Sequence, residues 1–585
     1  MQTGTPKSQI SDADAPAQRG SRWYAAAVVA AAAVLFLARL GARALWSSEG
    51  RWAEIVREMQ LNSNYFWPTI NGKLYYDKPL LSYWFIVAAT RLTGTIDEAA
   101  ARLPSALFAL AGVGLVIALA RRLYGRTATA AALAGFILAT SYSYVFFARH
   151  ASADIETTTG VLAALTLFAW HREHPDGWWV VWLWLIMAAT SLTKGLMGFA
   201  LPLGVMGLYS LLEQGTAAPY AHPRRESWNR VLSWFRQRLA WLFNFKTPIA
   251  VLAAGLLYYL PFAISHRRSH SDAGIYMVFR ENVVRFFNPF DHRDPVYVYL
   301  YVIFALMAPW SIFLPAALLE VHRKERRAGG SAPANSDLFT LVYFWGTLAF
   351  FTISRSRRSY YLLPILPAAA LMVARLLSTQ TDRLWAPARR LMNIGYGILI
   401  VGVVVLGGAF LLPASLRPGA LRLLPASPAR PIFAVLWLIS LAGIVHALRR
   451  MSVGRVALST GAVAYLVLFF LFVVAMPQAE QYRYEKSFAR AVRSSVDGNT
   501  AQLALYRIWG PGLIYYLAMP HPIPLFDSPD RLAGFAESKG GAWVITREED
   551  ARNMKLQTEP LAAEPELPWE SPSQRRSRHV LLKVR

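Results

Sequence analysis

The stretch from Leu45 to Trp84, "LWSSEGRWAEIVREMQLNSNYFWPTINGKLYYDKPLLSYW", gathers residue types that can act on a charged substrate. Glu49 and Arg51 open a helical pattern whose apolar face is Trp52, Ile55, Val56 and Met59. Asn71-Gly72 marks a turn, and Asp77-Lys78 follows it, just ahead of Pro79. Further along, Asp154 in "ASADIE", Lys194 in "SLTKG" and Arg355, Arg357 and Arg358 in "SRSRRS" interrupt strongly apolar sequence. Carboxylates in such places can take a proton or steady a developing positive charge, while guanidinium and ammonium groups suit phosphate oxygens. Each residue also has a plain structural role open to it. Glu49 can be a helix amino-terminal carboxylate favoured by the dipole, Asp154 can pair with Arg149, and the arginines can snorkel to lipid headgroups. Asp77 with His266 or His270 would supply the carboxylate and imidazole of a zinc site, although loop histidines more often face solvent.

These residues are carried by a chain built for a bilayer. Of 585 residues, 55% are hydrophobic and only 16% charged. Apolar segments long enough to cross, at roughly 20 residues each, lie near 23–40, 103–122, 127–147, 152–170, 177–193, 195–213, 247–265, 296–320, 338–353, 359–377, 391–412, 431–449 and 455–476. The composition predicts an α-helical polytopic membrane protein with about 13 transmembrane helices. Residues 1–22 read as a disordered, cytoplasmic amino terminus, 41–100 as an outer loop with two amphipathic helices, and 477–585 as a separate α/β domain. Within that domain "TAQLALYRI", "GAWVITREED" and "SRHVLLKVR" have strand character, and "SFARAVRSSV" that of an amphipathic helix. With no cysteine there is no disulfide or thiol chemistry. The net charge of +25 is assigned to topology and anionic lipid rather than to nucleic acid.

Lysine and arginine near the span ends set the orientation. An inward amino terminus puts "RRLYGR" (121–126), "HPRRESWNRVLSWFRQR" (222–238), "HRKERR" (322–327), "DRLWAPARR" (382–390) and "RRMSVGR" (449–455) in the cytoplasm. Two basic clusters then face outward, "SHRRSH" (265–270) and "SRSRRS" (354–359), where positive charge gains nothing from the topology rule. They read as sites for anionic groups near the membrane surface.

"LWSSEGRWAEIVREM" followed by "YYDKPLLSYW" resembles the start of the polyprenyl-phosphate-sugar glycosyltransferases, integral-membrane enzymes of the C-type superfamily that includes the protein O-mannosyltransferases. Within that group the resemblance is strongest to the lipid A 4-amino-4-deoxy-L-arabinose transferases. "ARLPSAL" (101–107), "RHASADIETT" (149–158), "SLTKGLMGFALP" (191–202), "ENVVRF" (281–286) and "FTISRSRRSYYLLP" (351–364) match in the family's order. Ser47-Ser48-Glu49 stands where the family usually has Pro-Asp-Glu, leaving one carboxylate.

The resemblance implies transfer of aminoarabinose from undecaprenyl phosphate to a lipid A phosphate at the periplasmic face of the bacterial inner membrane, the modification behind polymyxin resistance. Glu49 and Asp154 are then the expected catalytic carboxylates. Arg51, Lys78, Lys194, Arg355, Arg357 and Arg358 are the expected phosphate cage, and Asp77 with His266 the expected metal pair. The implied partners are the undecaprenyl-phosphate-linked sugar, lipid A and the phospholipid membrane, with no nucleic acid. The resemblance assigns no definite cofactor; a divalent metal such as zinc is the one these residues could hold. Two other functions compete: a protein O-glycosyltransferase using the same lipid donor, and a lipid flippase or transporter. Against the latter, no internal repeat is visible.

Overall fold

The computed structural model describes residues 14–125, 128–174, 176–213, 228–289, 293–328, 332–413, 416, 429–449, 453–554, 556–566 and 571–584. Residues 1–13 of the expected amino-terminal tail, the whole 214–227 connection and residues 450–452 of the 449–455 basic loop lie outside those residues.

Every apolar segment expected to span falls on a helix or on a bent pair of helices. Among the described residues six helices are long and apolar enough to cross alone, and up to eight spans result if each bent pair counts as one. The bent pairs are Thr129–Ala139 with Tyr142–Ala148, at 66°, and Val298–Leu306 with Trp310–Arg323, at 119°. Four more apolar helices, Arg22–Leu37, Trp179–Lys194, Met197–Leu212 and Pro431–His446, are shorter. The helix Ala153–His171 carries Asp154, Glu156 and a run of threonines on its first two turns, so its opening turns are polar. One contiguous apolar core joins most of the bundle, with the segment Leu362–Leu377 almost fully enclosed at its centre.

Successive chain reversals put the ends that matter on one side. Helix Glu98–Tyr124 starts there, capped by Asp97, whose side chain accepts from the Ala100 N–H at 2.8 Å. The chain comes back at Arg149, leaves along Ala153–His171, returns at Lys194 and again at Ser269, and passes through 354–359 before descending as Leu366–Ser378.

Above that end sit the 41–97 segment and the carboxyl-terminal domain. The segment contains helix Glu49–Leu61, a hairpin of β1 (Thr69–Ile70) and β2 (Lys73–Leu74), and helix Leu81–Thr93, closed by Gly94 at φ 73°. Trp52, Ile55, Val56 and Met59 are buried on one face of the first helix. The terminal domain contains β3 (Leu503–Tyr506), β4 (Leu525–Phe526), β5 (Ala542–Arg547), β6 (Thr558–Ala563) and β7 (His579–Val584), in the order β4-β3-β5-β7-β6. β3 runs parallel to β4 and β5, with short helices as crossovers, and β7 is antiparallel to β5 and β6.

The two outer pieces share one core. Trp52, Ile55, Met59, Tyr83 and Ile86 belong to the same buried cluster as Phe488, Val492, Leu513, Ile514 and Leu581. Asn71 exchanges two hydrogen bonds with the Ile523 backbone, donating at 2.8 Å and accepting at 2.6 Å. The Tyr516 hydroxyl accepts from the Leu45 N–H at 2.6 Å and donates to Glu98 at 3.1 Å. Helix Glu49–Leu61 approaches helix Pro511–Leu517 backbone to backbone at Gly50 and Gly512, so closely that a Cβ on Gly50 would clash.

Candidate active site

Around the aromatic pair Tyr360–Tyr361, just after the 354–359 turn, the structure assembles most of the residues singled out in the sequence. The Lys194 ammonium lies 4.8 Å from the Tyr361 ring centre and 5.4 Å from that of Tyr360, and it makes an ion pair with Asp154. Tyr360 is within electrostatic reach of Asp154, Arg358, Arg285 and Arg51. Arg51 meets Asp77 at 2.6 Å, Lys78 stands 3.4 Å from the same carboxylate and 4.0 Å from Glu281, and Glu281 in turn pairs with Arg285. A continuous chain of charge therefore runs from the Asp77-Lys78 loop to the foot of the "ENVVRF" segment. The Arg51 Nε and Asp77 Oδ1 atoms are buried without hydrogen-bond partners, although each group is otherwise paired. Such leftover donor and acceptor capacity is what an anionic or ammonium-bearing ligand would complete.

Local sequence explains the placement. Ser152 caps helix Ala153–His171 and puts Asp154 in its first turn, where the dipole favours a carboxylate. Lys194 ends its helix, the favourable end for a cation, and Gly195 at φ 122° turns the chain away. Burial lowers the pKa of the Lys78 ammonium against the pull of Asp77 and Glu281, so it is a cation held with little water. Burial would likewise lower that of Arg51, but Asp77, Tyr83 and Tyr75 outweigh it and hold the pKa above its usual value.

Several expectations change. Glu49 is fully buried and both its oxygens are taken. Arg102 donates to them at 2.7 and 2.8 Å, the Trp46 and Ala151 N–H groups at 2.9 Å each, and His150 Nδ1 lies 3.5 Å away. Burial alone would raise its pKa, yet His150, Arg102 and the Ala151 N–H bring it to about 2. A carboxylate so saturated is no base; Glu49 ties the outer loop to the bundle.

The expected Arg149 partner for Asp154 is replaced by Lys194. Arg149 instead donates to the carbonyls of Leu35 and Ala38 at 2.8 Å and of Phe36 at 3.0 Å, closing the end of the first helix. Asp77 and His266, the expected metal pair, each have other partners here. Asp77 lies between two cations, His266 contacts Asp272 at 2.9 Å on an exposed face, and no metal-like cluster of three ligands occurs among the described residues. A carboxylate already neutralised by Arg51 and Lys78 does not suit a divalent ion.

The three arginines divide. Arg357 is a structural staple, donating to the carbonyls of Ser354 at 2.7 Å, Asp294 at 2.9 Å and Thr352 at 3.3 Å. Arg355 is exposed and reaches only the Phe287 carbonyl, at 3.4 Å. Arg358 alone combines exposure with proximity to the Tyr360 cluster.

Four residues the sequence did not single out now belong to the picture: Arg102, Glu281, Arg285 and Tyr360. Arg102 was the most detectable, being an arginine at the mouth of an apolar span, which demands a buried partner. Glu281 and Arg285 sit four residues apart, a spacing that pairs them on a helix. Nothing in the sequence marked Tyr360 apart from other aromatics.

The model of the dolichyl-phosphate-mannose-protein mannosyltransferase family matches residues 77–223. An undecaprenyl phosphate-alpha-4-amino-4-deoxy-L-arabinose arabinosyl transferase of Pseudomonas fluorescens is 29% identical over 393 residues, 66% of this chain and 64% of its own length. Another, from Erwinia tasmaniensis, is 28% identical over 64% of this chain and 63% of its own. The chain thus spans just under two thirds of the length of these relatives. The crystal structure of ArnT from Cupriavidus metallidurans bound to undecaprenyl phosphate superposes with a TM-score of 0.68 at 23% identity, covering 96% of this chain and 98% of that one. At that identity the likeness establishes the fold. In fold, then, the chain is like ArnT of Cupriavidus metallidurans, and in sequence it is similar to the aminoarabinosyl transferases of Pseudomonas and Erwinia.

Proposed function

We propose that the chain transfers 4-amino-4-deoxy-L-arabinose from undecaprenyl phosphate to a phosphate of lipid A, at the periplasmic face of the bacterial inner membrane. One observation carries this reading. Arg51, Lys78, Lys194, Arg285 and Arg358 converge with Asp77, Asp154 and Glu281 at one end of the bundle, a cluster rich in cations. A reaction that brings two phosphates together needs such an excess of positive charge more than it needs a base. An acceptor phosphate oxygen attacks the anomeric carbon while the bond to the carrier phosphate breaks, its electron pair leaving with undecaprenyl phosphate. The nucleophile is already ionised near neutral pH, so the loss of Glu49 as a base removes nothing from the mechanism. In this reading Lys78 and Arg51 hold one phosphate and Arg358 and Arg285 the other, fixing both for in-line attack. Asp154 and Asp77 can receive the sugar's ammonium or the positive charge that develops at its anomeric carbon. The transferred ammonium would offset lipid A's negative charge and weaken the attraction of cationic peptides such as polymyxin.

The activity for which the relatives are named supports the reading, as does the undecaprenyl phosphate bound in the ArnT structure. The test is reconstitution in liposomes with the aminoarabinosyl lipid and lipid A, followed by mass spectrometry. Lipid A heavier by one aminoarabinose residue is the expected product. The matched family model is described by protein mannosyl transfer, which favours a second reading with a hydroxyl acceptor. Glycosylated peptide in place of modified lipid A would establish that reading. Translocation of intact donor without bond cleavage would establish a flippase.

A further inference from the structure

We propose that the cleft between helices Leu366–Ser378 and Ala386–Leu411, at the end of the bundle opposite the candidate active site, binds an anionic phospholipid from the surrounding leaflet. The chain passes Ser359 beside the active site and runs as a single apolar span to Ser378, so the 379–390 connection lies a full span, roughly 30 Å, from the charge cluster. Beside that connection is a cavity of about 550 Å³. Its lining is ordered by depth: Arg389 and Asn393 near the connection, then Tyr396, Gly397 and Ile400 farther along the same helix, with Leu377 on the facing wall.

The spacing puts these residues on one face, and the rise from Arg389 to Ile400 is about 16 Å, comparable to the upper part of an acyl chain. The polar end is equipped for an anion. Arg389 and Asn393 are exposed, lie one turn apart, and have no side-chain partner among the described residues. The amino-terminal turns of Ala386–Leu411 add the positive end of a helix dipole. The deep end is equipped for an alkyl chain: a Cβ on Gly397 would meet nothing within 4 Å, and Tyr396 beside it is buried. A basic mouth over an apolar slot between spans fits a phosphate-headed lipid in both polarity and length. A free phosphate would leave the slot empty and a neutral lipid would leave Arg389 unmatched. The inference is independent of the glycosyl-transfer reading, because none of these residues belongs to the active-site cluster.

The test is native mass spectrometry of the delipidated full chain, titrated with phosphatidylglycerol and phosphatidylcholine of identical acyl composition. Photoactivatable phosphatidylglycerol then maps the contact. The parent should retain phosphatidylglycerol preferentially, with crosslinks in 376–400. Arg389→Gln, a change at an exposed site that asks nothing of the packing, should cut the ratio of phosphatidylglycerol to phosphatidylcholine retained by about fivefold. Gly397→Leu adds a side chain to the slot at a position where its Cβ meets nothing within 4 Å, and should abolish retention of both lipids there. Equal retention of the two lipids by the parent, an unchanged ratio in Arg389→Gln, crosslinks elsewhere, or displacement of phosphatidylglycerol by equimolar undecaprenyl phosphate would each overturn the proposal.

Discussion

Replacing Glu49 by glutamine should damage the fold rather than the chemistry, and the size of the effect follows from its surroundings. The change keeps the shape and the acceptor oxygen but removes the charge that faces Arg102, a guanidinium with 1% of its side chain exposed. Breaking one side of a buried ion pair costs about 3–5 kcal/mol, because the other charge stays buried without compensation. Proton linkage gives the same scale independently. A carboxyl held at about 2 in the folded protein, against an ordinary 4.5, contributes about 3 kcal/mol that is fully present above pH 4.5 and lost as the pH falls toward 2. The parent should therefore lose stability steeply on acidification below pH 4.5, and Glu49→Gln should begin near that weakened level and lose less on further acidification. The assay is thermal unfolding in detergent from pH 3 to 8, alongside turnover at a temperature where both proteins remain folded. Turnover per folded molecule should stay within a few-fold of the parent. A Glu49→Gln protein with parental stability and abolished turnover would refute the structural assignment and restore Glu49 as a catalytic base.

Arg357 and Arg358 should separate in the same experiment. Arg358→Gln should lower turnover by roughly 10²-fold at unchanged melting temperature, with lysine rescuing only in part. Arg357→Gln strands the Asp294, Thr352 and Ser354 carbonyls and should cost about 1–3 kcal/mol of stability, seen in the melting temperature. Lys194→Ala leaves Asp154 without its cation and should suppress transfer while leaving donor-lipid retention measurable by native mass spectrometry. Gly50→Val forces the Gly512 backbone away and should destabilise by about 1–3 kcal/mol, with faster proteolysis of the terminal domain as the second readout.

The spans were legible because a bilayer asks for length and apolarity, and both are written locally. The two bends were not. The break at Thr140–Ser141 is fixed partly by Trp310, whose indole donates to Thr140 at 2.9 Å across 170 residues. In the terminal domain the apolar strands β3, β5 and β7 were visible. β6 was not, because "TEPLAA" is a polar edge with a proline and a bulge beside it. At the site, residue types were legible and partnerships were not. Glu49 announced a charge but not that its partner lay 53 residues on, and the three neighbouring arginines looked alike until each was seen against its own carbonyls or its own open space. Asp77 looked like a metal ligand before Arg51 was seen to pair with it at 2.6 Å.

The core shared by the outer loop and the terminal domain has a consequence for biogenesis. Residues 41–97 are among the first to emerge during synthesis, yet Asn71 finds its partner 452 positions later, at Ile523. Until the last helices are threaded and the terminal domain condenses, Trp52, Ile55 and Met59 lack half of their enclosure, and the loop bearing Arg51 and Lys78 has no fixed pose. Contacts of such sequence separation form late and expose apolar surface meanwhile. Insertion and maturation are therefore separate events in this chain. A ribosome-released molecule with every span in place is still immature until its two distant outer pieces meet, and a translation stall before residue 485 would leave a membrane-inserted protein with an unfinished loop open to proteolysis.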